Sequence, residues 1–472
     1  MTTQAPEPRL CHHDRSHIVD SRFYGHRYST QVSRGIFCDE CRFQRWLSIE
    51  AVLATAQAEL GIIPVEAAAK IAAAADVHLL DLEQVRAEIA RSGHSLVGLL
   101  RVFQSVCPDD SGQYIHYGAT TQDIQDTGQA LEMRDVLNAM EGRLATVLGH
   151  LVRLANAHQD TISLGRTHAQ PALPMTFAVK VSSWIDETLR HLDRIAEMRR
   201  RVPAAQLFGG VGTMAGLGDQ AVALLTLFAE RLGLTAPLVG WHVSRDRVAE
   251  FVAVLAMAAR TMGRIGDEVR ILSRPEFGEV EEGWTFGKVG SSTMPHKRNP
   301  EACEQAVVLA RLASAQVPLA LEAMSPDNER DSRALRLEWV CVADASHYAT
   351  AACEIVGVIL AGLIVHEERM RANVAVVADQ LASEHLMLAL GHHIGKQNAH
   401  EHVYELSQSA RRDGLLLRDL AAKDETVAAI DPEELERIFD PASHIGLSAT
   451  LSRRAIDRAQ AWLDVRGPAV GP

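Results

Sequence analysis

The segment from Gly290 to Pro300, GSSTMPHKRNP, holds residue types that could remove a proton from carbon and hold the resulting charge. Asn299 has a side chain suited to capping a helix, and the proline and glutamate that follow it complete the order typical of a helix start. A helix N-terminus offers free backbone N–H groups, and Lys297 adds a full positive charge. The segment could therefore bind a carboxylate or stabilise the alkoxide of Ser291. A plain glycine-serine loop before a capped helix is the alternative, but it does not explain a lysine-arginine pair where cations oppose the helix dipole.

A second polar segment, HYGATTQD, runs from His116 to Asp123. Thr120, Thr121 and Gln122 supply hydroxyl and amide groups that can hold carboxylate oxygens. A capped turn would use the same residue types, so both interpretations stay open. His116 is either part of a binding site or packed against the neighbouring tyrosines.

The third segment, from Gly165 to Pro174, places His168 among Arg166, Thr167 and Gln170, just ahead of an apolar helix. Imidazole titrates near neutral pH, so His168 is a candidate general acid or an orienting group. A lone histidine is more often structural, but the polar neighbours favour a functional role.

Together, these segments resemble the three conserved regions of the fumarase/aspartase superfamily, whose loop signature is GSSxMPxKxNP. They appear in the family's order, and the resemblance extends over nearly the whole chain. It implies an all-α fold of three helical domains, whose long central helices form a twenty-helix core in a homotetramer. Each active site would draw residues from three subunits. The implied reaction is anti elimination from a small succinyl dicarboxylate, releasing fumarate without a cofactor or metal.

The resemblance also implies roles for individual residues. Ser291 is the expected base, and His168 is the second catalytic residue. The residues expected to bind substrate are Thr120, Thr121, Gln122, Lys297, Asn299, His116 and Arg201.

The branch of the superfamily is less sharply indicated. The region 328–339 looks like that of carboxymuconate cycloisomerases and lacks the serine and arginine spacing with which adenylosuccinate lyases hold a phosphate. Bacterial members of the cycloisomerase branch generally lack the histidine of the third segment. The presence of His168 in this chain therefore favours elimination. This combination resembles nitrosuccinate lyases, with Arg201 as a candidate for binding the nitro group. Alternatives are 3-carboxymuconate cycloisomerisation, an adenylosuccinate- or argininosuccinate-type C–N lyase, and an inactive structural homologue.

Long alanine- and leucine-rich segments must position these residues. Their apolar spacing predicts helices over 37–61, 126–159, 174–202, 218–232, 244–273, 300–323 and 337–365. Helices this apolar must bury more than one face, which favours a bundle shared among subunits. We expect an N-terminal domain over 1–122, a central bundle over 123–370 and a small C-terminal domain over 371–472.

Composition excludes several classes of protein. The net charge of -13 over 472 residues disfavours nucleic-acid binding. The longest strongly apolar run, 355–365, is too short to cross a membrane. The first residues lack the features of a secretory signal, so we expect a cytoplasmic protein. Cys38 and Cys41 form a CxxC, with Cys11, His12 and His13 upstream, but thiols on a helix are favoured over a metal site.

Overall fold

The computed structural model describes residues 17–285 and 287–466, and it confirms the all-α prediction. Helices make up most of the described chain, beside short 3₁₀ turns and four short strands. The α-helices are α1 (Gln31–Phe37), α2 (Asp39–Glu59), α3 (Val65–Ala74), α4 (Leu82–Ser92), α5 (Ser95–Val106), α6 (Thr121–Ala157), α7 (Phe177–Met198), α8 (Ala221–Leu232), α9 (Asp246–Leu272), α10 (Glu301–Ala315), α11 (Val317–Glu322), α12 (Ser332–Ala361), α13 (Glu367–Leu381), α14 (Ser383–Ile394), α15 (Lys396–Asp413), α16 (Leu417–Ala421), α17 (Pro432–Ile438) and α18 (Ser448–Arg466).

Each predicted long helix is present, with one or both ends shifted. Helix α6 begins at Thr121, five residues earlier than predicted, because the Asp123 carboxylate accepts the Thr120 amide at 3.0 Å and stabilises the first turn. The helix predicted over 300–323 is divided into α10 and α11. Pro318 lies in the first turn of α11, and proline disrupts a continuous helix.

The strands form two small antiparallel pairs that the sequence analysis missed. β1 (Ile162–Thr167) and β2 (Gln170–Thr176) make a hairpin with an irregularity between Gly165 and Arg166. β3 (Val280–Glu281) pairs with β4 (Ile364–Val365). The hairpin contains the third polar segment, so His168 lies at a strand turn.

The chain forms two compact units. Of the described residues, the first comprises those within 17–141, 194–260 and 308–352, and the second those within 142–193, 261–307 and 353–466. The three domains expected from the sequence stay a prediction.

The core of the first unit includes an apolar cluster contributed by α2 to α6 and α8, including the fully buried Leu47, Phe103 and Phe228. A buried ionic network also lies in this unit. Arg245 donates to both Asp126 and Glu338, and all three side chains are inaccessible to solvent. Such a network joins α6, α9 and α12, because removing one partner would leave a buried charge unpaired.

The second unit contains a C-terminal cluster in which Leu386, Leu390 and Val403 pack together. Helix α13 covers the hairpin, where Val374 and Leu381 pack on Leu164. These contacts fix the base of the hairpin that carries His168.

One stretch of the described chain, Glu367–Ile394, is long and apolar enough to pass a length and composition test for a membrane span. Core helices of soluble proteins pass the same test. This stretch contains two helices, and its Leu386 and Leu390 are fully buried in the C-terminal cluster. Of the most apolar 18-residue window in this stretch, 28% is buried within the chain.

Candidate active site

Ser291 lies in a loop whose backbone is arranged around its hydroxyl. The Ser291 Oγ accepts the amide of Met294 at 3.0 Å and the amide of Thr293 at 3.3 Å. Two N–H donors directed at one oxygen stabilise negative charge on it, as they do in an oxyanion site. The loop can therefore make Ser291 easier to deprotonate than a free serine, which favours the alkoxide that acts as a base.

The remainder of this loop presents a cation. Arg298 pairs with Glu281 at 2.7 Å, whereas Lys297 makes no ion pair with any residue that the structure describes. The Lys297 side chain is exposed, while its backbone folds back on the loop, with the amide donating to Met294 O at 3.0 Å. An exposed ammonium without an acidic neighbour is suited to binding an anion.

Asn299 does not cap the following helix as the sequence suggested. Its Nδ2 donates to the carbonyl of Gly290 at 2.7 Å and closes the loop. The first-turn amides of α10, from Ala302 and Cys303, are instead accepted by the Glu282 carboxylate at 3.0 and 3.2 Å. The helix N-terminus that could have bound a substrate carboxylate is thus occupied by a carboxylate of the protein itself.

His168 lies at the tip of the β1–β2 hairpin and is exposed. It and Ala169 form the two-residue turn with φ values of 50° and 63°. Positive φ is uncommon for residues other than glycine, although histidine, asparagine and aspartate adopt it more often than most, so Ala169 is the more strained of the two. Strain of this kind concentrates at functional sites, which favours the predicted role of His168.

Arg166, on strand β1, connects this hairpin to residues outside it. It makes a bidentate pair with the buried Glu279, at 2.6 and 3.1 Å, and its guanidinium stacks on Phe277 at 4.6 Å. Asn373 donates to the same carboxylate at 2.8 Å. The polar cluster seen in the sequence therefore includes an arginine whose contacts support the hairpin.

Thr120 and Thr121 lie at the start of α6, in the other unit. The Thr120 hydroxyl accepts from Arg330 at 2.7 Å, and the second η nitrogen of Arg330 donates to the Gly209 carbonyl at 3.1 Å. Thr121 Oγ1 lies 3.4 Å from His94 Nε2. Arg330 brings a cation to the threonine segment, a contact that the sequence analysis did not identify.

Two further predicted substrate-binding residues are engaged with the protein. Gln122 is buried, and its Nε2 donates to Asp126 Oδ2 and to the His242 carbonyl, both at 3.0 Å. Arg201 is exposed and pairs with Glu250 at 2.5 Å. Substrate binding by either residue stays a prediction and requires these contacts to be shared or exchanged.

His116 contacts a carboxylate that the sequence gave no reason to select. Its Nδ1 lies 2.7 Å from Glu50 Oε1, and its backbone amide donates to Glu50 Oε2 at 3.1 Å. Burial lowers the pKa of His116, but the hydrogen bond and charge of Glu50, with a contribution from Asp123, more than offset this, so the pKa lies above the ordinary imidazole value.

Cys38 and Cys41 are both exposed, and the Cys41 amide donates to Cys38 Sγ at 3.3 Å. Across the residues that the structure describes, no group of three or more histidine, cysteine, aspartate or glutamate side chains could hold a metal ion. The upstream Cys11, His12 and His13 lie outside the described residues.

Known proteins share this chain's fold and sequence. A family model described as lyase matches residues 26–319, and one described as adenylosuccinate lyase C-terminus matches 379–455. N-acetyl-S-(2-succino)cysteine lyase of Dickeya dadantii (strain 3937) is 36% identical, covering 91% of this chain and 95% of that protein. Adenylosuccinate lyase of Methanothermobacter thermautotrophicus is 36% identical, covering 93% and 98%. The crystal structure of 3-carboxy-cis,cis-muconate lactonizing enzyme from Pseudomonas putida superposes with a TM-score of 0.86 at 32% identity, covering 94% and 100%.

The helical fold and these matches place the chain in a family of lyases. The chain belongs to the fumarase/aspartase superfamily, as its three polar segments had indicated.

Proposed function

We propose that this protein eliminates the substituent of a 2-substituted succinate and releases fumarate. The observation that carries the proposal is the loop over residues 290–300, hereafter the serine loop. In it, two backbone amides are directed at the Ser291 oxygen. A carbon acid loses its proton near neutral pH only if the base and the developing enediolate are both stabilised. The exposed ammonium of Lys297, in the same loop, makes no ion pair with a described residue and supplies charge for the second purpose.

In this mechanism the Ser291 alkoxide removes the proton beside one carboxylate and becomes the neutral hydroxyl. The electron pair left on carbon then forms the double bond as the substituent on the next carbon departs with its bonding electrons. Lys297 and Asn299 bind the carboxylate that carries the developing charge. His116, Thr120, Thr121 and Gln122 bind the substrate, and His168 protonates or orients the leaving group. No cofactor or metal takes part.

The leaving group has two candidates. The sequence analysis favours nitrosuccinate, cleaved at C–N to fumarate and nitrous acid, with Arg201 binding the nitro group. A relative at 36% identity over 91% of this chain is named N-acetyl-S-(2-succino)cysteine lyase, which favours a thioether substituent and C–S cleavage. Both substrates share the succinyl group that the serine loop would act on.

We further propose that the protein is a cytoplasmic homotetramer whose active sites each draw on three subunits, with no nucleic-acid or membrane partner. Several apolar side chains on the long helices are exposed in the single chain, which favours burial against further copies. Examples on α9, α10 and α12 are Met257, Val308, Val340 and Val358.

The test is a panel of four substrates given separately to the purified protein: nitrosuccinate, N-acetyl-S-(2-succino)cysteine, adenylosuccinate and 3-carboxy-cis,cis-muconate. Fumarate is followed by its absorbance and confirmed by chromatography. We expect fumarate from at least one of the first two. Lactone formation from the muconate alone would support the cycloisomerase alternative. No reaction with any substrate would support an inactive homologue and contradict the proposal.

A further inference from the structure

The loop that carries His116 is held by one face of helix α2. Glu50 binds both the amide and the ring of His116, and Gln57, two turns further along the helix, donates to the Tyr117 carbonyl at 2.7 Å. His116 has a φ of 60°, which a residue with a side chain rarely adopts. A strained conformation persists only where surrounding contacts impose it, and here both carboxylate oxygens of Glu50 do so.

Charge balance makes this contact more than a structural support. The Glu50 side chain is 0% exposed, and its two described hydrogen bonds both come from His116. A carboxylate removed from water is costly unless a cation or several donors compensate it. A protonated His116 provides that cation, because its Nδ1–H lies 2.7 Å from the carboxylate. Its side chain remains 23% exposed, so the ring is also accessible from outside.

We propose that Glu50 is a positioning residue that keeps His116 as an imidazolium, so that its Nε2–H binds a carboxylate of the substrate. Nδ1 is committed to Glu50, and no described residue is hydrogen-bonded to Nε2, which leaves that nitrogen as the available donor. Arg330, bonded to the Thr120 hydroxyl, adds a second cation to this segment. The carboxylate-binding role rests on the proposed function, whereas the charge of His116 does not.

The charge is measured without turnover. Diethyl pyrocarbonate modifies neutral imidazole, so the rate of modification at His116, followed by peptide mass mapping against pH, gives the midpoint of its titration. We expect a midpoint above 6.5, the ordinary imidazole value, in the wild type and a lower midpoint in Glu50→Gln. Gln57→Met is the matched control, since it releases the same loop without removing a charge, and it leaves the midpoint unchanged.

Kinetics give the second readout. Replacing a charge-assisted hydrogen bond by a neutral one should raise KM for the succinyl substrate by about tenfold or more, with a smaller change in kcat. In the wild type, KM rises as pH increases through the His116 midpoint. In Glu50→Gln, the rise begins at lower pH.

A wild-type midpoint at or below 6.5 overturns the inference, as does an unchanged midpoint in folded Glu50→Gln. If Glu50→Gln does not fold, the wild-type midpoint decides alone. If the protein releases fumarate but the His116 midpoint is at or below 6.5, this inference is contradicted and the proposed function is not. A raised midpoint with no fumarate from any substrate counts against the proposed function and leaves the ion pair in place.

Discussion

The serine loop and the His116 loop hold their functional groups in opposite ways. Ser291 is bound by amides two and three residues away in its own loop. His116 is bound by Glu50, 66 residues earlier in the chain, and its loop leads into a helix stabilised by Asp123. From residue 292 to 298 the serine loop is exposed, whereas the groups that hold His116 are buried.

The two loops therefore position their functional groups by different means. The serine loop creates its own donor arrangement, so changes within it should reduce activity with little effect on stability. The His116 loop depends on buried charges in the surrounding fold, so changes to its support should reduce both. This distinction would be contradicted by serine-loop variants that lose stability, or by variants of the His116 support that lose activity alone.

Ser291→Ala should give the largest loss of activity. Removal of a general base costs about 10²- to 10⁴-fold in kcat. The free energy of unfolding should change by less than about 0.5 kcal/mol, since the side chain is not fully buried. Fumarate formation and urea unfolding measure the two quantities. Ser292→Ala is the adjacent control, and a Ser291→Ala enzyme with wild-type kcat would remove the base assignment.

Gly290→Ala tests whether the shape of the serine loop matters. A Cβ at this position would lie 2.2 Å from the Lys297 carbonyl oxygen, so the loop must shift. Misplacement by about 1 Å can cost about 10²-fold, and we expect a loss of that order in kcat/KM. Gly149→Ala, where no atom lies within 4 Å of the added Cβ, is the control. Equal kinetics for the two variants would show that the loop conformation is not required.

Asp123→Asn should destabilise the support of the His116 loop. The buried Asp123 carboxylate accepts the amides of Thr120, Phe208 and Gly209 at 3.0, 2.9 and 3.0 Å. Loss of the charge should cost about 2–4 kcal/mol in the free energy of unfolding, as measured by urea denaturation.

The exposed Asp219→Asn is the control for Asp123→Asn, with an expected change below about 0.5 kcal/mol. A cost below about 1 kcal/mol for Asp123→Asn would show that the loop does not depend on this buried carboxylate.

The smallest expected effect is a pH dependence of stability. The pKa of His116 is raised in the folded protein, so the folded state holds this proton more tightly than the unfolded state. The contribution to stability is therefore complete below pH 6.5 and is lost as pH rises through the raised pKa. Urea midpoints across this range should fall more steeply in wild type than in His116→Asn, since asparagine tolerates the positive φ. Parallel slopes would contradict the ion pair.

Much of the fold could be predicted from local patterns. The long helices follow from apolar spacing, and the serine loop from glycine, serine and the proline after Asn299. The hairpin around His168 could not be predicted, because its turn has neither glycine nor asparagine where positive φ is required. The helix cap assigned to Asn299 was wrong because Glu282, which is 20 residues before Ala302, competes successfully for the same amides.

The sequence by itself determined the superfamily, the helical architecture and the identity of the candidate catalytic residues, because each depends on residues close together in the chain. Only the tertiary structure decided the surroundings of those residues. Glu50 is hydrogen-bonded to His116, from which it is separated by 66 positions in the sequence, and Glu279 is hydrogen-bonded to Arg166, from which it is separated by 113. A carboxylate's effect on a histidine or arginine falls off within a few ångströms, and the chain must fold before that distance exists.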